Sequence, residues 1–236
     1  MGPDGWLDRA VELITGFYQG IPTAYLTGWV EYAGRAFKSD SRALAIRAYS
    51  VPMVLGAVEH FRDRTVRALE IGCGAGAAIC TLAAELEGEF VGTDVDPQAL
   101  TLARENAELH GVRAEFVVSD LFAGLTGTFD LIYANLPRQN PEEPVAEAEW
   151  EPGVALYDPT GRRNGIYQRF FTEVQGRLTD QGMLYLEGPD DPRLFAALPG
   201  EPVTDADGDV SGKIFTAEQV SLVPTAMDEL WNEATR

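Results

Sequence analysis

From Val66 onward the chain alternates short apolar runs with segments of helical period, and no other feature restricts its fold as strongly. The runs 66–71, 90–93, 115–118, 129–134 and 183–186 are apolar along most of their length. A strand wet on one face alternates polar and apolar residues, so near-continuous apolar runs of this length read as strands buried on both faces. Between them, the stripe Ile79, Leu82, Ala83 and Leu86 marks a helix over 77–86. The next helix has Asp96 as N-cap, Pro97 in its first turn and Gly111 as its stop. Tyr167, Phe170, Phe171, Val174 and Leu178 line a third. Strands and helices in this order predict an α/β chain built on a doubly wound, mostly parallel sheet covered on both faces. The tail, 203–223, reads as two more strands around Asp207-Gly208.

Ahead of this region, Leu7, Ala10, Val11, Ile14 and Phe17 or Tyr18 keep a helical period. Residues 25–32 and 35–38, joined by Ala33-Gly34, read as a β-hairpin. Ser50 and Pro52 then open a helix with Met53, Val54, Ala57, Val58 and Phe61 on one face. The expected organisation is an N-terminal extension over residues 1–50, a helix and a hairpin, on a main domain over 51–236, the whole forming one unit.

Charge and cysteine usage narrow the function. The 236 residues carry 37 Asp plus Glu against 18 Lys plus Arg, a formal net charge of −19. Such a surface repels phosphate backbones and anionic lipid, which argues against nucleic-acid and membrane partners. Cys73 and Cys80 fit no zinc spacing or disulfide framework, and His60 and His110 form no ligand pair, so no metal is expected. Residues 1–15 lack a signal-peptide pattern, and no apolar run approaches the ~20 residues needed to span a bilayer. A cytoplasmic setting is the expectation.

The first strand-to-helix turn reads Glu70-Ile71-Gly72-Cys73-Gly74-Ala75-Gly76. Glycines there either let backbone N–H groups approach a ligand at a helix N-terminus or simply seat the helix on the strand. Asp94 ends the second strand, 22 residues after Gly72, where an acid grasps a ribose diol. Its alternative task, capping the next helix, already falls to Asp96. A dinucleotide dehydrogenase is one reading, but Ala77 stands where the Gly-x-Gly-x-x-Gly form has its last glycine. The third strand runs into Ser119-Asp120-Leu121-Phe122, and the fourth into Asn135-Leu136-Pro137-Arg138.

Taken together, LEIGCGAG, GTDVDPQALTLARENAELHG, SDLF and FDLIYANLP resemble the class I S-adenosylmethionine (SAM) methyltransferases in order and spacing. Within them the pattern is most similar to the HemK-type protein-glutamine N5-methyltransferases. TGWVEYAGRAFKSDSRALAIR upstream and EPGVALYDPTGRRNG downstream extend the resemblance over roughly residues 20 to 190. It implies a seven-stranded Rossmann-like methyltransferase sheet and SAM as cofactor. It also implies that Gly72, Gly74 and Gly76 line the methionine moiety and that Glu70 orients its ammonium end. Asp94 takes the ribose hydroxyls, with Val95 against adenine. Asp120 accepts the adenine amine, with Leu121 beside it, and Asn135 faces the transferred methyl.

The family's Asn-Pro-Pro-Tyr holds an amide between the Asn oxygen and the next carbonyl, under the Tyr ring. In-line methyl transfer needs the nitrogen lone pair aimed at the methyl carbon about 3 Å away. Asn135, Leu136 and Pro137 keep the catalytic part of this motif, while Arg138 replaces the aromatic residue. Arg138 either binds an acidic group or pairs with nearby glutamates. Glu142, Glu143, Glu147, Glu149 and Glu151 follow within ten residues free of Lys and Arg. They are either a solvated face or, through Glu142 and Glu143, a pocket wall for a cationic substrate. Only one helix precedes the hairpin, where the family carries a bundle that docks its protein substrate. The expected activity is therefore SAM-dependent N-methylation of a small molecule, cationic in one reading. Protein-glutamine methylation and a non-catalytic SAM-binding module are the alternatives.

Overall fold

A computed structural model describes residues 3–140, 142–143, 145–161, 164–188, 192–204 and 210–223. The chain opens with α1 (Pro3–Tyr18) and the short α2 (Thr23–Thr27), followed by a hairpin of β1 (Trp29–Tyr32) and β2 (Arg35–Lys38). After α3 (Val51–Phe61) come β3 (Thr65–Ile71), α4 (Ala77–Glu85), β4 (Glu87–Asp94), α5 (Pro97–His110), β5 (Glu115–Val118) and β6 (Phe129–Ala134). The chain continues through α6 (Gly153–Leu156), α7 (Gly165–Glu173), β7 (Leu178–Glu187), α8 (Pro192–Ala197), β8 (Glu201–Thr204) and β9 (Val210–Thr216).

Seven strands form one sheet in the order β5-β4-β3-β6-β7-β9-β8. The first five pair in parallel, and β9 runs antiparallel to both β7 and β8. This is the seven-stranded, mostly parallel sheet expected above. Side chains of the inner strands alternate between two cores. Ala68, Leu131, Tyr133 and Tyr185 join α3, α4, α5 and the hairpin residues Tyr32 and Phe37 on one face. Leu69, Ile71, Ile132, Ala134, Leu184 and Leu186 join α7, Leu194, Phe215, Val220 and Val223 on the other. Burial on both faces is why these strands carry no polar alternation. Because β3 pairs with β4 on one edge and β6 on the other, the strand order reverses beside it, which opens a crevice at the strands' C-terminal ends.

Local chemistry explains where the elements depart from expectation. Tyr25 to Thr27 belong to helix α2, not to the hairpin. Pro22 sets up the first turn, and Gly28 stops it in the left-handed region at φ 78°, so β1 starts only at Trp29. Leu178 begins β7 instead of ending α7, because Gly176 (φ 69°) turns the chain between them. Residues 217–223 are helical where strand was expected, and the turn expected at Asp207-Gly208 lies outside the described residues. Among the described residues no helix is long and apolar enough to cross a membrane.

One buried side chain ties the hairpin to the sheet. Asn106 of α5 accepts the Lys38 N–H at 2.8 Å and donates to the carbonyls of Lys38 (3.1 Å) and Ala75 (2.9 Å). It thereby links the end of β2 to the glycine turn after β3. Asn106→Ala orphans one buried and two part-buried backbone groups and is expected to lower stability by about 2–4 kcal/mol, read as a lower denaturant midpoint at unchanged slope. A midpoint at the wild-type value contradicts this link.

Candidate active site

The turn after β3 is a glycine cradle. Gly72, Gly74 and Gly76 sit at φ 70°, 52° and 77°, a region L side chains rarely adopt. At Gly76 a Cβ would also come within 2.9 Å of the Ala103 Cβ, so α4 can pack on α5 only through glycine. The Gly74 N–H donates to Asp94 Oδ2 at 2.9 Å, and the Asp96 N–H to Asp94 Oδ1 at 2.9 Å. Asp94 thus fastens the turn after β3 to the turn after β4 and keeps a further lone pair on each oxygen. Burial pushes its pKa up, against the lowering effect of these amides. Asp96 caps α5 by accepting the Gln98 N–H at 2.8 Å, as its position predicted. Glu70 is fully buried and accepts the Ile79 N–H at 2.8 Å, capping α4 from beneath the cradle. Burial, with Glu187 and Asp94 nearby, raises its pKa well above the usual carboxylate range.

Glu70, Gly72, Gly74, Asp94 and Asp96 border a cavity of about 420 Å³, whereas Gly76, expected to line the methionine moiety, stands against Ala103 and Phe116 and not on its wall. Val95 is 46% exposed on its wall, an apolar surface left open to a ligand and not core. Leu121 is buried at φ 50° and also lines it. Asp120, expected to accept an amine, already holds the Arg169 guanidinium at 3.1 Å. Arg169 in turn reaches Glu173 at 3.2 Å and stands on the cavity wall. The residues fit the cofactor implied by the sequence: a cradle of backbone N–H groups, a half-buried acid with spare lone pairs for a diol, and apolar walls beyond it.

Asn135 borders the same cavity one residue beyond β6, and a Cβ on Gly72 would stand 3.5 Å from its carbonyl oxygen. Its Nδ2 donates to the Tyr49 hydroxyl at 3.4 Å. Leu136 and Pro137 line the cavity beside it. Arg138 turns aside, donating to the Gly188 carbonyl at 3.4 Å and lining a smaller neighbouring cavity. Glu142 and Glu143 do not reach either cavity. Asn140 folds them into a surface turn, accepting the Glu142 N–H at 3.0 Å and donating to Glu143 at 3.3 Å. The pocket-wall reading of these two acids is therefore corrected. Glu151, from the same acidic run, is buried instead, where it accepts the Ala45 N–H at 3.0 Å and pairs with Arg47 at 2.6 Å. It pins the segment that carries Tyr49 across the cavity.

Glu187 is a further site residue, absent from those the sequence motifs single out. It ends β7 beside Asn135 and lines the cavity in full burial. Tyr133 donates its hydroxyl proton to Oε1, while Oε2 has no completed hydrogen bond. Burial raises its pKa to about 7, and the Tyr133 and Tyr49 hydroxyls with the Arg138 charge limit the rise. The signal was available, since Glu187 closes an apolar parallel strand just as Asp94 closes its own.

A family model described as a methyltransferase domain matches residues 62–221. The release factor glutamine methyltransferase of Deinococcus radiodurans is 35% identical over 206 residues, covering 85% of this chain and 73% of that protein. That of Lactococcus lactis is 32% identical, covering 76% and 70%. The ribosomal protein uL3 glutamine methyltransferase of Xanthomonas campestris is 32% identical, covering 76% and 61%. Among solved structures, the Thermus thermophilus 16S rRNA N2 G1207 methyltransferase with AdoMet and guanosine aligns at TM-score 0.58 and 19% identity, over 80% of this chain and 49% of that one. The ribosomal protein L11 methylase of Lactobacillus delbrueckii aligns at 0.55 and 18%, over 74% and 81%. The structural likenesses show the fold alone. The relatives overturn the expectation of a small-molecule, cationic acceptor, because these three are named for glutamine in release factors or a ribosomal protein.

Asp94→Ala removes the acceptor of two turn amides and, on the role the resemblance implies, of a ribose diol as well. Calorimetry is expected to show SAM affinity reduced by at least about tenfold. Wild-type affinity in this variant contradicts the assignment of the cradle.

Proposed function

The chain belongs to the SAM-dependent methyltransferases of the HemK-type branch, and on that footing we propose that it methylates the side-chain amide nitrogen of a glutamine in a protein. The observation that carries this reading is the position of Asn135 and Leu136, at the end of β6, on a cavity that continues into the glycine cradle. A primary amide has two N–H donors and needs two acceptors. Asn135 Oδ1 is one and the Leu136 carbonyl the other. The Tyr167 hydroxyl lies 3.5 Å from the Leu136 oxygen but 3.2 Å from the Glu187 and Gly188 carbonyls, and it has a single proton to donate. Leu136 therefore keeps a lone pair for the substrate.

The chemistry that SAM brings when bound is a methyl group made electrophilic by a positively charged sulfur. Against it, this chain must hold a weakly nucleophilic nitrogen in line, which two fixed acceptors accomplish. The same acceptors face the positive charge that develops on nitrogen, and their dipoles need no reorganisation as it forms. Pro137, with its fixed φ and missing N–H, limits the backbone conformations open to the segment. Tyr49 supplies an aromatic side chain beside Asn135, where Arg138 does not. A protein substrate also suits α1, whose Trp6, Leu7, Val11, Ile14, Phe17 and Tyr18 are all more than half exposed.

Incubation with release factor or ribosomal protein uL3 is expected to place one methyl on a glutamine side chain. Asn135→Ala should bind SAM within about twofold of wild type and lose at least a hundredfold in turnover, the scale of deleting one preorganised group. Turnover unchanged in Asn135→Ala, or no methylated glutamine while SAM is bound, contradicts the proposal.

A further inference from the structure

The Asn135 side chain has two ends of nearly equal size, one accepting and one donating, and only its hydrogen-bond partners decide which end faces the cavity. Its partner here is the half-buried Tyr49, which lines the same cavity as Glu187 and whose hydroxyl lowers the Glu187 pKa. We propose that Glu187, acting through the Tyr49 hydroxyl, sets the orientation of the Asn135 amide and so keeps Oδ1 turned toward the acceptor nitrogen. This rests on the reading of Asn135 given above.

An ionised carboxylate only accepts. Tyr133 fills Oε1, and the buried Oε2 then draws the Tyr49 proton, because no other hydrogen bond reaches it. With its proton committed to Glu187, the Tyr49 oxygen offers only lone pairs to Asn135. The amide must then present Nδ2 to Tyr49, as observed, and Oδ1 the other way. A protonated Glu187 reverses the chain. It donates to the Tyr49 oxygen, the Tyr49 proton turns to Asn135, and the amide is stable with Oδ1 facing Tyr49. Nδ2 then meets the substrate's N–H, donor against donor.

Glu187 is placed for such a change. Burial brings its titration to about 7, while the Arg138 guanidinium favours the charged form. The other groups facing it are Tyr133 on β6, Tyr32 on β1 and Glu70 on β3, and burial raises the pKa of each. Lys213 on the neighbouring β9 turns away, donating to the Leu198 carbonyl at 2.6 Å. Activity is thus expected above about pH 7, falling as pH drops through the Glu187 titration.

The test is a pH titration of the Asn135 side-chain NH2 signals in the full chain labelled with ¹⁵N-asparagine, the signals assigned by their loss in Asn135→Ala. In wild type they should shift with a midpoint about 7. That shift should vanish in Glu187→Gln, which keeps shape but not charge, and in Tyr49→Phe, which removes one hydroxyl. With glutamine substrate, both variants should lose the acid limb of kcat/KM and about tenfold or more in kcat, with KM and SAM affinity changed less than about threefold. The NMR arm needs no acceptor, so it stands even if no glutamine is methylated. An Asn135 signal that does not titrate, or one that titrates equally in both variants, overturns the inference whether or not glutamine is the substrate.

Discussion

The parallel pairing of β3 on both its edges is the constraint on which the site depends. With β4 on one side and β6 on the other, three strands end together, and the chain must turn there without crossing itself. Ile71 opens into the glycine cradle, Asp94 ends its strand beside that cradle, and Asn135 follows one residue after Ala134. Parallel register thus converts three distant stretches of sequence into one wall. Moving β6 by a single residue would turn its buried set to the opposite face and carry Asn135 away from the cavity.

Much of this wall was legible because it is written locally. Asp96, Pro97 and Gly111 bound α5 by capping chemistry that acts within one turn. The apolar runs mark buried strands, and glycines at 72, 74 and 76 mark a turn that other residues would strain. What was hidden depends on contacts between distant residues. Glu151 lies among solvated acids in the sequence yet is buried, because Ala45 and Arg47 meet it across 106 and 104 residues. Glu142 and Glu143 carry the same charge and stay at the surface, because Asn140 satisfies their turn locally. Spacing alone could not separate these fates. Arg169 stands on the cavity wall through its pairing with Asp120, two residues far apart in the chain.

The net charge of −19 therefore comprises acids of different kinds. Glu70, Asp94 and Glu187 are buried or nearly so around the cavity, where desolvation raises all three pKa values. Each has a backbone amide or a hydroxyl to accept, which is how a buried carboxyl is tolerated. Glu151 fastens a loop. Surface acids such as Glu142 stay in solvent, in a turn held by Asn140. Reading the acidic run as a cationic pocket failed because sequence proximity to Asn135 is not proximity in the fold.

In the proposed reaction two acceptors meet one amide nitrogen beside the glycine cradle. A crystal structure of the protein with S-adenosylhomocysteine and a glutamine-containing peptide tests this most directly. The glutamine side-chain nitrogen is expected within about 3 Å of both Asn135 Oδ1 and the Leu136 carbonyl oxygen. A glutamine nitrogen bound elsewhere, or an Asn135 that presents Nδ2 to it, would contradict the account.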